Sequence, residues 1–269
     1  MKLGSGLAVS AIAVLLTALA VTGAWAGGIT LAPHRAIYDM ALASTKPGSG
    51  IVGANGTMSY EFADACDGWI VENRIAISYA YSEGGQAMTT TDFLTWESKD
   101  GLKYRFRLRD TRDGQITDEV EGTAELRGKG KGGVARYTRP EAMTIALPKG
   151  TLFPTEHTER LIAAARAGTR TFLRVVFDGS DTEGAYDVSA LIGRPHIVEA
   201  KVSSPLIDSP SWPMRLAYFP VEGTESTPDF EMALDYHANG VAQNIVQSFK
   251  DFSLVGKLRS IEALPRHRC

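Results

Sequence analysis

The residues of this chain best suited to chemistry are two cysteines and five histidines. Cys66 lies in "FADACDGW", and Cys269 is the last residue of "EALPRHRC". No CxxC or Cys–His spacing surrounds either thiol, so a metal site is the weaker reading. Among the histidines, His34, His196, His237 and His267 stand at strand entrances, before a turn or in the tail. His157 is the one tempting base, flanked by Glu156 and Glu159 at a helix start. A helix N-terminus disfavours imidazolium and is rich in polar residues for capping alone, so a structural role outweighs a catalytic one. The chain has no GxSxG nucleophile elbow, HExxH zinc motif, P-loop or GxGxxG. "FDGSDTEG" brings Asp178, Ser180 and Asp181 together, but its Gly184 falls at the wrong loop position for calcium, and a polar hairpin loop explains it. Glu119 and Glu121 would be the acids of an envelope hydrolase. Arginines opposite them would lower their pKa values, which is wrong for a general acid. No catalytic residue, metal ligand or cofactor is assigned.

How the thiols are read depends on the compartment. "MKLGSGLAVSAIAVLLTALAVTGAWAGG" has a lysine, an apolar run from Leu7 to Val21, and the small-x-small signal Ala24-Trp25-Ala26. This pattern predicts a secretory signal peptide over 1–26, cleaved after Ala26, and a periplasmic mature protein. The apolar run is short for a membrane span of about 20 residues, and no basic stop-transfer cluster follows. In an oxidising compartment an even cysteine count reads as a disulfide, here closing nearly the whole mature chain. Such a loop closure is worth at most about 5 kcal/mol. Two free thiols or an intermolecular bridge remain open alternatives.

The formal charge of −3 gives no support to nucleic-acid or anionic-membrane binding. Residues 27–269 fit one domain, with no repeat and no linker long enough to divide them. Almost every segment alternates with period two. In "LKYRFRLR", Leu102, Tyr104, Phe106 and Leu108 share one face and Lys103, Arg105, Arg107 and Arg109 the other. Asp113-Gly114 then signals a hairpin to "ITDEVEGTAEL". Folded back, that strand sets Arg107 near Glu119 and Arg105 near Glu121, give or take two residues, so the basic ladder is neutralised. "RAIYDMAL", "WIVENRIAISYAY", "TTTDFLTWES", "ARYTR", "TFLRVVF", "MRLAYF" and "FEMALDYH" continue the strand pattern between Gly- and Asp-rich turns. The sequon Asn55-Gly56-Thr57 is placed in a turn. In "FPTEHTERLIAAARAG", Thr155 is the predicted N-cap of one short helix and Gly168 its stop. The expected fold is all-β, a large antiparallel sandwich, barrel or rolled sheet with one helix. Tyr79, Tyr81, Leu94, Trp96, Tyr104 and Phe106 are the candidates for lining a ligand space inside it, against the simpler account of ordinary core.

Several stretches are more distinctive. "HRAIYDMAL", "LTWESKDGLKYRFRLR", "LPKGTLFPTEHTERLIAAARAG", "VVFDG" and "YHANGVAQNIVQSFKDFSLVGKLRSIEALPRHRC" together span most of the mature chain. In these the sequence resembles the EipB family, periplasmic cell-envelope integrity proteins of alphaproteobacteria. The resemblance implies a single many-stranded antiparallel sheet rolled into a β-spiral or open barrel, similar to periplasmic lipoprotein-carrier folds. It also implies a disulfide between Cys66 and Cys269. The implied role is non-enzymatic, in envelope integrity and stress resistance, as a monomer acting alongside periplasmic proteins such as one with tetratricopeptide repeats. A carrier holding a lipid or acyl chain in the concave face is the alternative.

Overall fold

The computed structural model describes residues 28–199, 201–223 and 226–266. Fourteen strands and one helix occupy them: β1 (His34–Thr45), β2 (Ile51–Asp64), β3 (Gly68–Tyr81), β4 (Gln86–Ser98), β5 (Lys103–Arg112), β6 (Gln115–Leu126), β7 (Gly133–Arg139), β8 (Met143–Leu147), α1 (Pro154–Arg166), β9 (Thr171–Val176), β10 (Tyr186–Ile192), β11 (Ser211–Pro220), β12 (Phe230–His237), β13 (Ala242–Ser248) and β14 (Phe252–Ala263). All the strands belong to one sheet, ordered β8-β7-β6-β5-β4-β3-β2-β1-β14-β13-β12-β11-β10-β9, and every neighbouring pair is antiparallel. The chain therefore meanders outward from β1 to β8, crosses through α1, and meanders back until β14 pairs with β1.

A twisted open sheet rarely exceeds about ten strands without curling. This one rolls until its two ends approach. Leu152, just past β8, bridges Val176 of β9 in parallel; the Leu152 N–H donates to Val175 O and the Phe177 N–H to Leu152 O. The predicted spiral is the observed architecture.

Strand faces follow from alternation. In β5, Tyr104, Phe106 and Leu108 are buried while Lys103, Arg105 and Arg107 are exposed. The β5–β6 hairpin turns at Asp113 and Gly114, both with positive φ. Its register sets Arg107 opposite Glu121 and Arg109 opposite Glu119, two residues from the central expectation and inside its stated tolerance. One concave core gathers Tyr38, Ile77, Val188, Met214 and Leu254 around Leu161 and Ala165 of α1. A second, aromatic cluster packs Tyr104 and Phe106 on Tyr137, Phe153 and Phe177. Gly179 is required at its position. Its φ is +69°, and a Cβ there would lie 2.4 Å from the Phe106 ring.

Two expectations are corrected. The sequon is not in a turn: Asn55 and Gly56 sit in the middle of β2, opposite Ala41 and Met40 on one side and Ser78 and Ile77 on the other. A Cβ at residue 56 would fall 1.9 Å from Ala76 O, so the glycine answers strand proximity rather than a turn. The N-cap of α1 is Phe153, with Pro154 opening the helix and no cap bond from Phe153 itself; Thr155 lies inside the first turn. The helix does stop at Gly168, whose φ is +78°. Among the described residues no helix is long and apolar enough to cross a membrane. The predicted leader over 1–26, His267 and Cys269 lie outside the described residues.

Candidate functional site: the cavity behind helix α1

A helix entering a barrel must satisfy its first backbone N–H groups without water. Here a strand supplies the acceptor. Thr155 N–H and Glu156 N–H donate to Glu97 Oε2 and Oε1 at 2.7 and 2.9 Å. Glu97 comes from the inner face of β4 and is 3% exposed. Burial pushes its carboxyl up to about 7, against the two backbone donors that pull the other way. Glu156 in turn is held by Lys129 at 2.5 Å and Arg160 at 2.6 Å, so the helix entrance is tied to the β6–β7 loop as well as to β4.

Behind this entrance lies a cavity of about 240 Å³. Its wall includes Tyr60, Asn73, Phe93, Tyr104, Met232 and Tyr236, and α1 contributes Thr155, His157, Thr158 and Leu161. The His157 ring is 5% exposed and tilts against Phe172 at 5.7 Å between centroids. Burial first, and the charge of Arg174 second, lower its pKa to about 4. A buried imidazole that protonates only near pH 4 is poorly suited to general-base work near neutrality. His34, at the opposite wall, is also lowered by burial, although its Nδ1 hydrogen-bonds the Ala32 carbonyl at 2.7 Å. Tyr104 donates its hydroxyl to Asp178 O at 2.9 Å, and Asp178 accepts from the Ser180 N–H and hydroxyl. Burial raises the Asp178 carboxyl. The "FDGSDTEG" loop is thus a self-satisfied hairpin between β9 and β10.

The six residues proposed as ligand-lining do not converge. Tyr104 alone among them lines the cavity. Phe106 is enclosed in the aromatic cluster. Tyr79 faces the main core and meets Phe252 edge-on at 5.6 Å. Tyr81 carries the Arg112 guanidinium over its ring at 5.5 Å. Leu94 and Trp96 are on the outer face: Leu94 is 46% exposed and Trp96 lies under Arg105 at 4.8 Å. The reason is parity. In β4 the inner set is Phe93, Thr95 and Glu97, two of them polar, whereas the apolar Leu94 and Trp96 fall on the outer parity, so hydrophobicity points to the wrong face. The alternation of "SYEFAD" marks Tyr60 on the same parity as Phe62, and that of "FEMALDYH" marks Met232 and Tyr236, so both are legible in the sequence.

On the outer face, Glu119 is bound by Arg109 at 2.7 Å and by Arg139. The Arg109 hydrogen bond is the main cause holding its carboxyl below the usual range. That arrangement is unsuited to a general acid. Among the described residues no group of three or more His, Cys, Asp or Glu side chains could hold a metal ion.

With this geometry established, the likenesses to other proteins are specific. The model of the EipB-like family matches residues 25–265. The chain belongs to the EipB-like family. It is 33% identical over 243 residues to the cell envelope integrity protein EipB of Brucella abortus strain 2308, covering 88% of this chain and 86% of the relative. A crystal structure of a beta-barrel-like protein of a domain of unknown function, also from Brucella abortus, superposes with a TM-score of 0.83 at 31% identity. That match covers 88% of this chain and 100% of the other. The rolled fourteen-stranded sheet is therefore the EipB-like fold, with α1 seated in its concave face.

At the end of the roll where the first and last described strands pair, β14 and β2 flank β1, with His34 opposite both Ala263 and Phe62. The Leu264 N–H donates to Pro33 O at 3.0 Å and the Arg266 guanidinium to Leu31 O at 2.6 Å. Cys66 occupies the tight β2–β3 turn with φ +61°, its N–H donating to Asp64 Oδ1 at 3.1 Å. Asp64 is bound by Lys99 at 2.8 Å and also feels the Arg266 charge.

Proposed function

We propose that this protein is an exported, non-enzymatic periplasmic protein that supports cell-envelope integrity through contacts with other envelope proteins, a tetratricopeptide-repeat protein among them. The observation that carries the reading is the likeness over 88% of the chain to a protein named for cell-envelope integrity. The interior chemistry supports a scaffold rather than a catalyst: Glu97 is engaged as a helix cap and His157 is held neutral. A Cys66–Cys269 disulfide is part of the proposal. Its support is proximity, since Arg266 already reaches Leu31 and acts on Asp64, two residues from Cys66.

The test is complementation. A strain lacking the gene should become sensitive to detergent and to cell-wall antibiotics, and the full-length gene should restore growth. The same gene without codons 2–26 should not. A deletion strain indistinguishable from its parent on these plates would sink the reading.

The cavity behind α1 favours a second reading beside the first, in which the protein carries an amphiphile within the roll. Co-purification of a lipid with the exported protein, read by native mass spectrometry, would support it.

A further inference from the structure

The cavity behind α1 borders a smaller chamber of about 120 Å³ beneath β1, β12 and β13. His34, Tyr60, Asn73, Met232 and Tyr236 line both, so the two chambers adjoin across the same side chains. Three buried polar atoms on their lining make no hydrogen bond within the protein: Nε2 of His157, Oδ1 of Asn73 and Oε1 of Gln247. His157 is 5% and Gln247 8% exposed. A buried polar atom left unpaired costs about 1–3 kcal/mol, so three around this adjoining pair mark where hydrogen-bonding groups of an occupant belong.

The lining also restricts charge. No lysine or arginine contributes to either chamber, so nothing there would pair with a carboxylate or phosphate. Its carboxylate, Asp178, is already engaged by Ser180. An ion of either sign would enter unpaired, at a desolvation cost of several kcal/mol. Apart from His34 and the hydroxyls of Thr95, Thr155 and Thr158, the rest of the wall is aromatic and aliphatic.

We propose that this space binds an uncharged amphiphile, its aliphatic part against Tyr60, Met232 and Tyr236 and its hydroxyl groups on Asn73, Gln247 and His157. The proposal rests on the carrier reading and adds the chemical class of the cargo. A monoacylglycerol has this chemistry; a fatty acid or a phospholipid headgroup does not.

The experiment is calorimetric titration of the mature oxidised protein at about pH 7.5 with three probes of equal tail length: monodecanoylglycerol, decanoate and decyltrimethylammonium, each below its micellar concentration. The expected result is that the glycerol ester binds at least tenfold more tightly than either ion, about 1.4 kcal/mol or more. Asn73→Leu and Gln247→Leu should each weaken the ester by roughly tenfold while leaving the weak binding of the ions unchanged. Equal binding of all three probes would overturn the proposal and leave the carrier reading standing. Binding of none would overturn both, with water as the occupant. The charge comparison uses the unmodified protein, so it stands even where a variant fails to fold.

Discussion

Glu97 and His157 lie at the same helix entrance and shift in opposite directions, and the signs can be worked out. Glu97 titrates near 7 in the folded chain against an ordinary value of 4.5. The folded state holds its proton where the unfolded state has lost it, so its contribution is greatest below about 4.5 and is lost as pH rises toward 7. His157 titrates near 4 against 6.5. The folded state there refuses a proton that the unfolded state accepts, so its contribution is full above about 6.5 and is lost as pH falls toward 4. Each effect is on the order of 3 kcal/mol across its window, and between about 4.5 and 6.5 they offset. Single variants should separate them. Chemical denaturation from about pH 4 to 8 should show Glu97→Gln gaining on the wild type as pH rises and His157→Gln gaining as pH falls. Parallel profiles for all three proteins would contradict the assignment.

At the scale of elements, α1 is held by its capping strand and by what its inner face buries. Leu161 is fully buried in the concave core, and Leu161→Ala should cost about 2–5 kcal/mol, read as a lower urea midpoint. The outer-face pair Arg109–Glu119 is a different case. Arg109 is 40% exposed on its side chain, and Glu119→Gln should leave the urea midpoint nearly unchanged. A large loss there would mean that the outer charges carry more of the sheet than their exposure allows.

These elements also show where sequence reading works. The β5–β6 hairpin was legible because alternation, an Asp-Gly turn and opposite charges agree locally. The same holds for the stop at Gly168 and for the loop after Phe177. The start of α1 was not legible, because its cap is Glu97, distant in sequence and brought there only when the sheet rolls. Asn55-Gly56 read as a turn because that dipeptide usually is one; its glycine is instead fixed by the backbone of β3. The cavity wall was half-legible. Tyr104 followed from alternation, whereas Leu94 and Trp96 were misplaced because β4 turns polar Thr95 and Glu97 inward and its apolar Leu94 and Trp96 outward, so the parity signal is inverted.

For the whole molecule, the return of β14 onto β1 makes the sheet depend on β14, the longest-range strand pairing among the described residues. A bridge from Cys66 to Cys269 would hold that strand in place and shield it from proteases. Cys66→Ser, Cys269→Ser and the double variant should then lose the same stability, at most about 5 kcal/mol, by thermal unfolding under oxidising conditions. Additive losses would mean that the thiols act apart.

Export and this closure are the core of the account, and one measurement meets both: the intact mass of protein from the periplasmic fraction, with and without reductant, followed by alkylation. The account predicts a chain beginning at Gly27 that takes up no label until reduction, gains about two mass units on reduction, and then accepts two labels. A chain retaining its first residues, or two thiols that label without reductant, would contradict it.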